Sequence, residues 1–135
     1  MWRLASRPDV RAQIMGAGLA CCSLEVEAAV AKGLLVREEA AGLPATSTVL
    51  VVAGTITHAL EPALEALHAE LSASGAVHVM CFGACATSGG PYWDAPAVVP
   101  GVRSFPVHSY VPGCPPRPEA LVAELERLVD ATVSA

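Results

Sequence analysis

The chain has 135 residues, the length of one ordinary domain, with 53% hydrophobic residues, 16% charged residues and a formal net charge of −5. Its positive residues do not cluster, which argues against nucleic acid as a partner. No apolar run approaches the roughly 20 residues that a membrane-spanning helix needs, and residues 1–8 lack the pattern of a signal peptide. We therefore expect a single domain over residues 1–135 in a reducing compartment, where cysteines suggest metal binding or catalysis before disulfides.

The first third of the chain has the weakest periodicity. Residues 9–19 are predicted as an N-terminal helix or interfacial segment, although glycines interrupt them. Residues 24–31 are rich in Glu and Ala and are predicted as a helix that Gly33 ends. A short strand at 34–37 and a loop at 38–45 are predicted to follow.

The rest of the chain alternates strands with helices. In chain order we predict a strand at 48–53, a helix at 57–73, a strand at 77–82, a long Gly- and Pro-rich loop at 83–100, a strand at 105–110 and a helix at 119–129. The continuous aliphatic run at 48–53 is typical of a strand covered on both faces. Strand alternating with helix predicts a doubly wound α/β domain with a parallel sheet.

Four of the five cysteines are placed to meet at one edge of that sheet. Cys85 comes three residues after one predicted strand and Cys114 four residues after the next, and parallel sheets place their sites beyond the carboxyl ends of the strands. Cys21 and Cys22 are adjacent, too close for an unstrained mutual disulfide, so they complete the set if they pack over the same edge. Cys81 lies within a strand and is predicted to be a buried core thiol.

Four thiolates without a nearby histidine suit either a tetrahedral zinc ion or an iron-sulfur cluster. Zinc ribbons usually have two Cys-x-x-Cys pairs and this chain has none, so the spacing favours a cluster, whose separate iron atoms accept ligands from distant loops. A structural or regulatory zinc module remains an alternative. A nucleotide-binding domain ranks lowest, because no Gly-x-Gly-x-x-Gly or P-loop pattern follows the first strong strand.

Several segments of the chain also carry a family resemblance. They are 19–25 (Leu-Ala-Cys-Cys-Ser-Leu-Glu), 52–57 with 62–64, 83–90 (Gly-Ala-Cys-Ala-Thr-Ser-Gly-Gly) and 110–120 (Tyr-Val-Pro-Gly-Cys-Pro-Pro-Arg-Pro-Glu-Ala). In this order they resemble the family of the B-type, 20 kDa iron-sulfur subunit of NADH-quinone oxidoreductase, respiratory complex I. The resemblance covers most of residues 16–125.

The resemblance implies a flavodoxin-like, three-layer α/β domain with a short, mainly parallel sheet and no flavin. It also implies one 4Fe-4S cluster with Cys21, Cys22, Cys85 and Cys114 as ligands. The expected function is electron transfer from this terminal cluster to quinone, within a multi-subunit NADH:quinone oxidoreductase and not by the chain alone. The same superfamily supplies an alternative, the small electron-transfer subunit of a NiFe hydrogenase or formate hydrogenlyase-type complex.

Further expectations concern the surroundings of the cluster. The expected partners are a large-subunit homologue and a ferredoxin-like subunit, with quinone at a shared interface on the cytoplasmic side of the cell membrane and a peripheral attachment. Glu25, which matches a family acid near the cluster, and Arg117, close to Cys114, are candidates for tuning the cluster potential. Tyr92 and Trp93, in the long loop, are candidates for covering the cluster or for a subunit contact.

Overall fold

A mostly parallel sheet forms the centre of the computed structural model, which describes residues 1–16, 21–40 and 44–134. Its strands are β1 (Trp2–Leu4), β2 (Val10–Gly16), β3 (Leu35–Arg37), β4 (Ser47–Ala53), β5 (Val77–Phe82) and β6 (Ser109–Val111). The helices are α1 (Cys21–Ala31), α2 (Glu61–Ala73), α3 (Ala84–Ser88) and α4 (Pro118–Val133), with short 3₁₀ turns at Glu38–Ala40 and Gly90–Tyr92.

The four parallel strands end together at one edge. The strand order is β3-β1-β2-β4-β5-β6, in which β2, β4, β5 and β6 are parallel and β1 is antiparallel to both of its neighbours. The register pairs Gly16 with Ala53, Ala53 with Phe82, and Phe82 with Val111. We call this row of four residues the carboxyl edge, and three of the strands that end there lead into cysteine-bearing segments.

Helices cover the sheet on both faces and make three layers. Successive side chains of a strand point to opposite faces, and in β4 the buried Val49 and Val51 pack with α1 and α4. The alternate residues Leu50 and Val52 pack with α2. The predicted α/β domain with a mainly parallel sheet is thus confirmed, as are its central strands and its two longest helices.

The predicted N-terminal helix at 9–19 is wrong. Val10–Gly16 is a strand, β2, paired in parallel with β4 along its whole length. Val10 and Ala12 are buried while Arg11 and Gln13 between them are half-buried, which is the period of two expected for a strand and not the period of a helix. Residues 17–19 of that prediction, and residues 41–43 of the predicted loop at 38–45, lie outside the described residues.

Two predicted elements at the carboxyl side of the domain are shorter or more structured than expected. The predicted loop at 83–100 contains α3 and a 3₁₀ turn. The predicted strand at 105–110 is reduced to Ser109–Val111. Its earlier residues do not join the ladder because the ring of His108 takes the place of a main-chain partner: Nδ1 accepts a 3.0 Å hydrogen bond from the amide of Val79.

None of the helices in the described ranges combines the length and the apolar character required to cross a bilayer.

Candidate metal centre

The adjacent cysteines Cys21 and Cys22 form the first turn of α1, three residues earlier than the predicted start of that helix. Neighbouring side chains on a helix diverge by about 100°. Cys22 accordingly is buried, with 1% of its surface exposed, whereas Cys21 is exposed. The pair therefore presents one thiol to the core and one to the surface.

The third cysteine, Cys85, lies in the short helix α3, directly beyond the end of β5, and is buried. The helix is held at its start by Thr87, whose hydroxyl donates a 2.8 Å hydrogen bond to the carbonyl of Gly83. It ends at Gly89, which has a φ of 88° and whose amide donates to the carbonyl of Cys85. Main-chain bonds on both sides thus fix the position of the Cys85 side chain.

The fourth cysteine, Cys114, follows the end of β6 and is exposed. Its segment is tied to the Cys85 segment by two main-chain hydrogen bonds, each 2.9 Å long. The amide of Gly83 donates to the carbonyl of Val111, and the amide of Ala84 donates to the carbonyl of Gly113. The predicted meeting of these two segments beyond neighbouring strand ends is what the structure contains.

Electrostatics connect the four thiols. Burial raises the pKa of the Cys22 thiol to about 12, and negative charge on Cys21, Cys85 or Cys114 would raise it further, as does a hydrogen bond with Cys21. Cys22 is therefore within electrostatic range of all three other thiols. The structure brings the predicted set to one end of the sheet, with Cys22 as its most buried member.

Glycines line the space next to two of the sulfurs. A Cβ atom added to Gly83 would lie 2.4 Å from Sγ of Cys22, and one added to Gly90 would lie 2.9 Å from Sγ of Cys85. Both distances are below any normal contact, so a larger residue at either position would push against a sulfur. The missing side chains leave a cradle at these two cysteines.

This arrangement fits an iron-sulfur cluster in two respects: the donors are four thiols, which are the usual cluster ligands, and glycines leave room at two of them. Within residues 1–16, 21–40 and 44–134, no group of three or more His, Cys, Asp and Glu side chains is arranged to hold a single metal ion.

A cavity of about 340 Å³ lies beside α1, close to the tandem cysteines. Its lining includes Trp2 and Ile14 from β1 and β2, and Ser23, Val26, Glu27 and Val30 from α1. Sequence reasoning missed this cavity because it assigned residues 9–19 to a helix. The alternation of Val10, Ala12 and Ile14 with polar residues was the signal that would have placed a strand opposite α1.

A family model described as the 20 kDa subunit of NADH ubiquinone oxidoreductase matches residues 20–128. The chain belongs to this family. The resemblance predicted from the motifs around the cysteines is thereby confirmed.

Curated relatives, all B-type subunits of NADH-quinone oxidoreductase, agree with this family membership. The chain is 40% identical over 116 residues to the relative numbered 2 in Streptomyces griseus, covering 82% of this chain and 48% of that protein. It is 40% identical over 116 residues to the relative numbered 1 in Salinispora tropica, covering 82% and 61%. With the relative in Clostridium beijerinckii the identity is 41% over 121 residues, covering 86% and 70%. The chain thus spans from about half to somewhat over two-thirds of the length of these relatives.

The fold is similar to that of a chain in the membrane-bound sulfane sulfur reductase, an archaeal respiratory membrane complex. The TM-score is 0.62, the sequence identity is 22%, and the match covers 93% of this chain and 71% of that chain. At this identity the likeness concerns the fold alone.

The remaining residues of interest differ in their surroundings. Cys81 is completely buried among the residues that pack with α2, and burial raises its pKa to about 12, so its prediction as a core thiol is confirmed. Glu25 is half-buried on α1, and Arg117 is exposed at the start of α4. The charge of Arg117 contributes to lowering the pKa of Glu119, after the larger effect of the hydrogen bond from Lys32. The roles of Glu25 and Arg117 in tuning a cluster potential stay predictions.

Proposed function

We propose that this chain is the electron-transfer subunit of an NADH:quinone oxidoreductase and that Cys21, Cys22, Cys85 and Cys114 hold one 4Fe-4S cluster. The observation that carries the proposal is that three cysteine-bearing segments meet at the carboxyl edge of a member of this family. When bound, such a cluster accepts and donates electrons one at a time.

The chain's own residues supply the position and the protection of that group. Cys22 and Cys85 are buried, while Cys21 and Cys114 are exposed, so the four ligands span the boundary between core and surface. Metal binding requires thiolates and releases their protons. The burial that raises the pKa of Cys22 therefore favours the protonated thiol, and iron has to displace that proton.

The cavity beside α1 supports quinone as the electron acceptor. Its volume, about 340 Å³, is within the range of small-molecule sites, roughly 300–1,000 Å³. Trp2, Val26 and Val30 supply apolar walls, while Ser23 and Glu27 supply polar groups. Ser23 directly follows Cys22, so a ring in this cavity would lie within a short distance of the proposed cluster.

The proposed partners are a large-subunit homologue and a ferredoxin-like subunit, in a complex attached to the cytoplasmic side of the cell membrane. Large apolar side chains are exposed near the thiols: Leu24 on the α1 turn that follows the tandem cysteines, and Tyr92 and Trp93 in the turns after α3. Exposed apolar side chains of this size are common at subunit contacts. They offer a surface through which such partners would shield the site from water.

Metal analysis of the full chain, purified and reconstituted with iron and sulfide under anaerobic conditions, tests the proposal. We expect about four iron and four acid-labile sulfide per chain, as for one 4Fe-4S cluster, and a low-temperature paramagnetic resonance signal after reduction. One zinc per chain without sulfide would instead support the structural zinc module and would contradict the proposal.

A further inference from the structure

Gly83 lies where all three cysteine-bearing segments touch. Its amide donates a 2.9 Å hydrogen bond to Val111 at the end of β6. A Cβ atom built on it would be 2.4 Å from Sγ of Cys22, 3.5 Å from Cδ of Pro116 and 3.6 Å from the carbonyl oxygen of Gly113. The two latter distances are ordinary contacts, so the conflict is with the sulfur alone.

The backbone at Gly83 has little freedom to move away from that sulfur. Its carbonyl accepts hydrogen bonds from both the amide and the hydroxyl of Thr87, at 3.2 and 2.8 Å, which closes the first turn of α3. The next amide, of Ala84, donates to the carbonyl of Gly113. Gly83 is thus held by hydrogen bonds to α3 on one side and to the segment after β6 on the other.

We propose that Gly83 is a positioning residue for the sulfur of Cys22. The hydrogen atom in place of its side chain sets how closely α1 approaches the ends of β5 and β6, and therefore where the Cys22 thiol lies relative to Cys85 and Cys114. This inference rests on the proposed function, because a displaced Cys22 sulfur matters chiefly if that sulfur is a ligand.

A competing explanation is that only glycine tolerates the backbone conformation, since φ at Gly83 is 93°. Gly33 separates the two explanations. Its φ is 72°, but a Cβ atom there would meet nothing within 4 Å. Gly33→Ala therefore imposes a comparable backbone strain without a contact to any sulfur.

The experiment is a double-mutant cycle on the full metal-free chain under reducing conditions, read out as the urea midpoint of unfolding. Gly83→Ala is expected to lower the midpoint more than Gly33→Ala does. In the Cys22→Ala background, Gly83→Ala is expected to lower it only about as much as Gly33→Ala lowers that of the parent. Equal losses from Gly83→Ala in both backgrounds would overturn the proposal. So would failure of both Gly83→Ala and the double variant to fold, because removing the sulfur would then relieve nothing.

A second readout is retention of iron after anaerobic reconstitution and dilution. Gly83→Ala is expected to bind iron roughly 10-fold more weakly than the parent, the lower end of the range for residues that support metal ligands, while Gly33→Ala retains iron like the parent. Equal iron retention by the two variants would contradict the proposal. If the parent itself holds no iron, the proposed function fails, and the urea cycle still decides whether Gly83 positions Cys22.

Discussion

The amide of Ala84 donates a 2.9 Å hydrogen bond to the carbonyl of Gly113. Ala84 precedes Cys85 and Gly113 precedes Cys114, so the two cysteine-bearing segments are joined by their main chains directly beside the thiols. Because the joint does not involve the sulfurs, the local fold at the carboxyl edge is expected to survive the loss of a cysteine side chain.

The first prediction follows from this joint and concerns the two exposed cysteines. Cys21→Ser and Cys114→Ser are expected to change the free energy of unfolding of the metal-free chain by less than about 0.5 kcal/mol, as for other surface substitutions. Urea denaturation under reducing conditions measures this. A loss of several kcal/mol in either variant would show that the thiol itself holds the segment in place.

A buried ion pair provides the second prediction. Arg3 has only 3% of its side chain exposed and donates a 2.8 Å hydrogen bond to Glu38, which also accepts from Arg11. Glu38→Gln leaves the buried guanidinium without a carboxylate and is expected to cost about 3 kcal/mol of stability, as when one partner of a buried pair is removed. The control is Glu119→Gln in the exposed pair with Lys32, which is expected to cost less than about 1 kcal/mol.

The same pair has an expected acid dependence. Burial raises the pKa of Glu38, but hydrogen bonds and charge from Arg3 and Arg11 outweigh it and hold this pKa below its usual 4.5. The folded state thus binds the proton less readily than the unfolded state, so the stabilisation is complete above pH 4.5 and is lost as the pH falls below it. Equal losses in Glu38→Gln and Glu119→Gln at neutral pH would contradict the assignment of a buried pair.

The third prediction concerns His78 on β5. Burial lowers the pKa of His78 below its usual 6.5, and the neighbouring His108, whose ring centroid is 5.3 Å away, lowers it further. The folded state therefore disfavours the protonated ring, and stability is expected to decrease as the pH falls below 6.5.

The variant His78→Asn is expected to reduce this loss of stability between about pH 7.5 and pH 5.5, the window in which unperturbed histidines titrate. Unfolding free energies at the two pH values measure it. His58→Asn is the control, because His58 is exposed. A similar effect of both variants would mean that the dependence does not come from the buried ring.

The fourth prediction concerns Trp93, of which 65% is exposed in the turn after α3. Trp93→Ser is expected to leave the stability of the isolated chain within about 0.5 kcal/mol of the parent but to reduce its recovery with the proposed partner subunits. Val133→Ser, at an exposed apolar residue at the end of α4, is the control. Equal recovery of the Trp93→Ser and Val133→Ser chains in a co-purification would argue against a partner surface at Trp93.

The central strands and main helices could be predicted from the sequence because their signals are local. The runs at 48–53 and 77–82 are aliphatic throughout, as a strand covered on both faces requires, and β4 and β5 lie there. Leu121, Leu125 and Leu128 of α4 have helical spacing and are buried as predicted. Residues 10–16 were mistaken for a helix because their strand depends on pairing with β4, a contact between distant parts of the chain.

The candidate site could be predicted only in part, for the same reason. The positions of Cys85 and Cys114 beyond two strand ends follow from the order of elements. The approach of Gly83 to Cys22 does not, since it depends on a positive φ and on the packing of α1 against the end of β5. Likewise, the cavity at Ser23 and Val26 exists only because β2 is a strand.

The most direct measurement is iron retention in a cysteine series on the full chain, reconstituted anaerobically and examined by iron analysis and low-temperature paramagnetic resonance. Cys21→Ser, Cys22→Ser, Cys85→Ser and Cys114→Ser are each expected to lose the resonance signal of the parent and most of its iron, whereas Cys81→Ala, at the buried core thiol, keeps both. Full iron content and an unchanged signal in any of the four serine variants, or loss of both in Cys81→Ala, would contradict the assignment of these four thiols as the ligands of a single cluster.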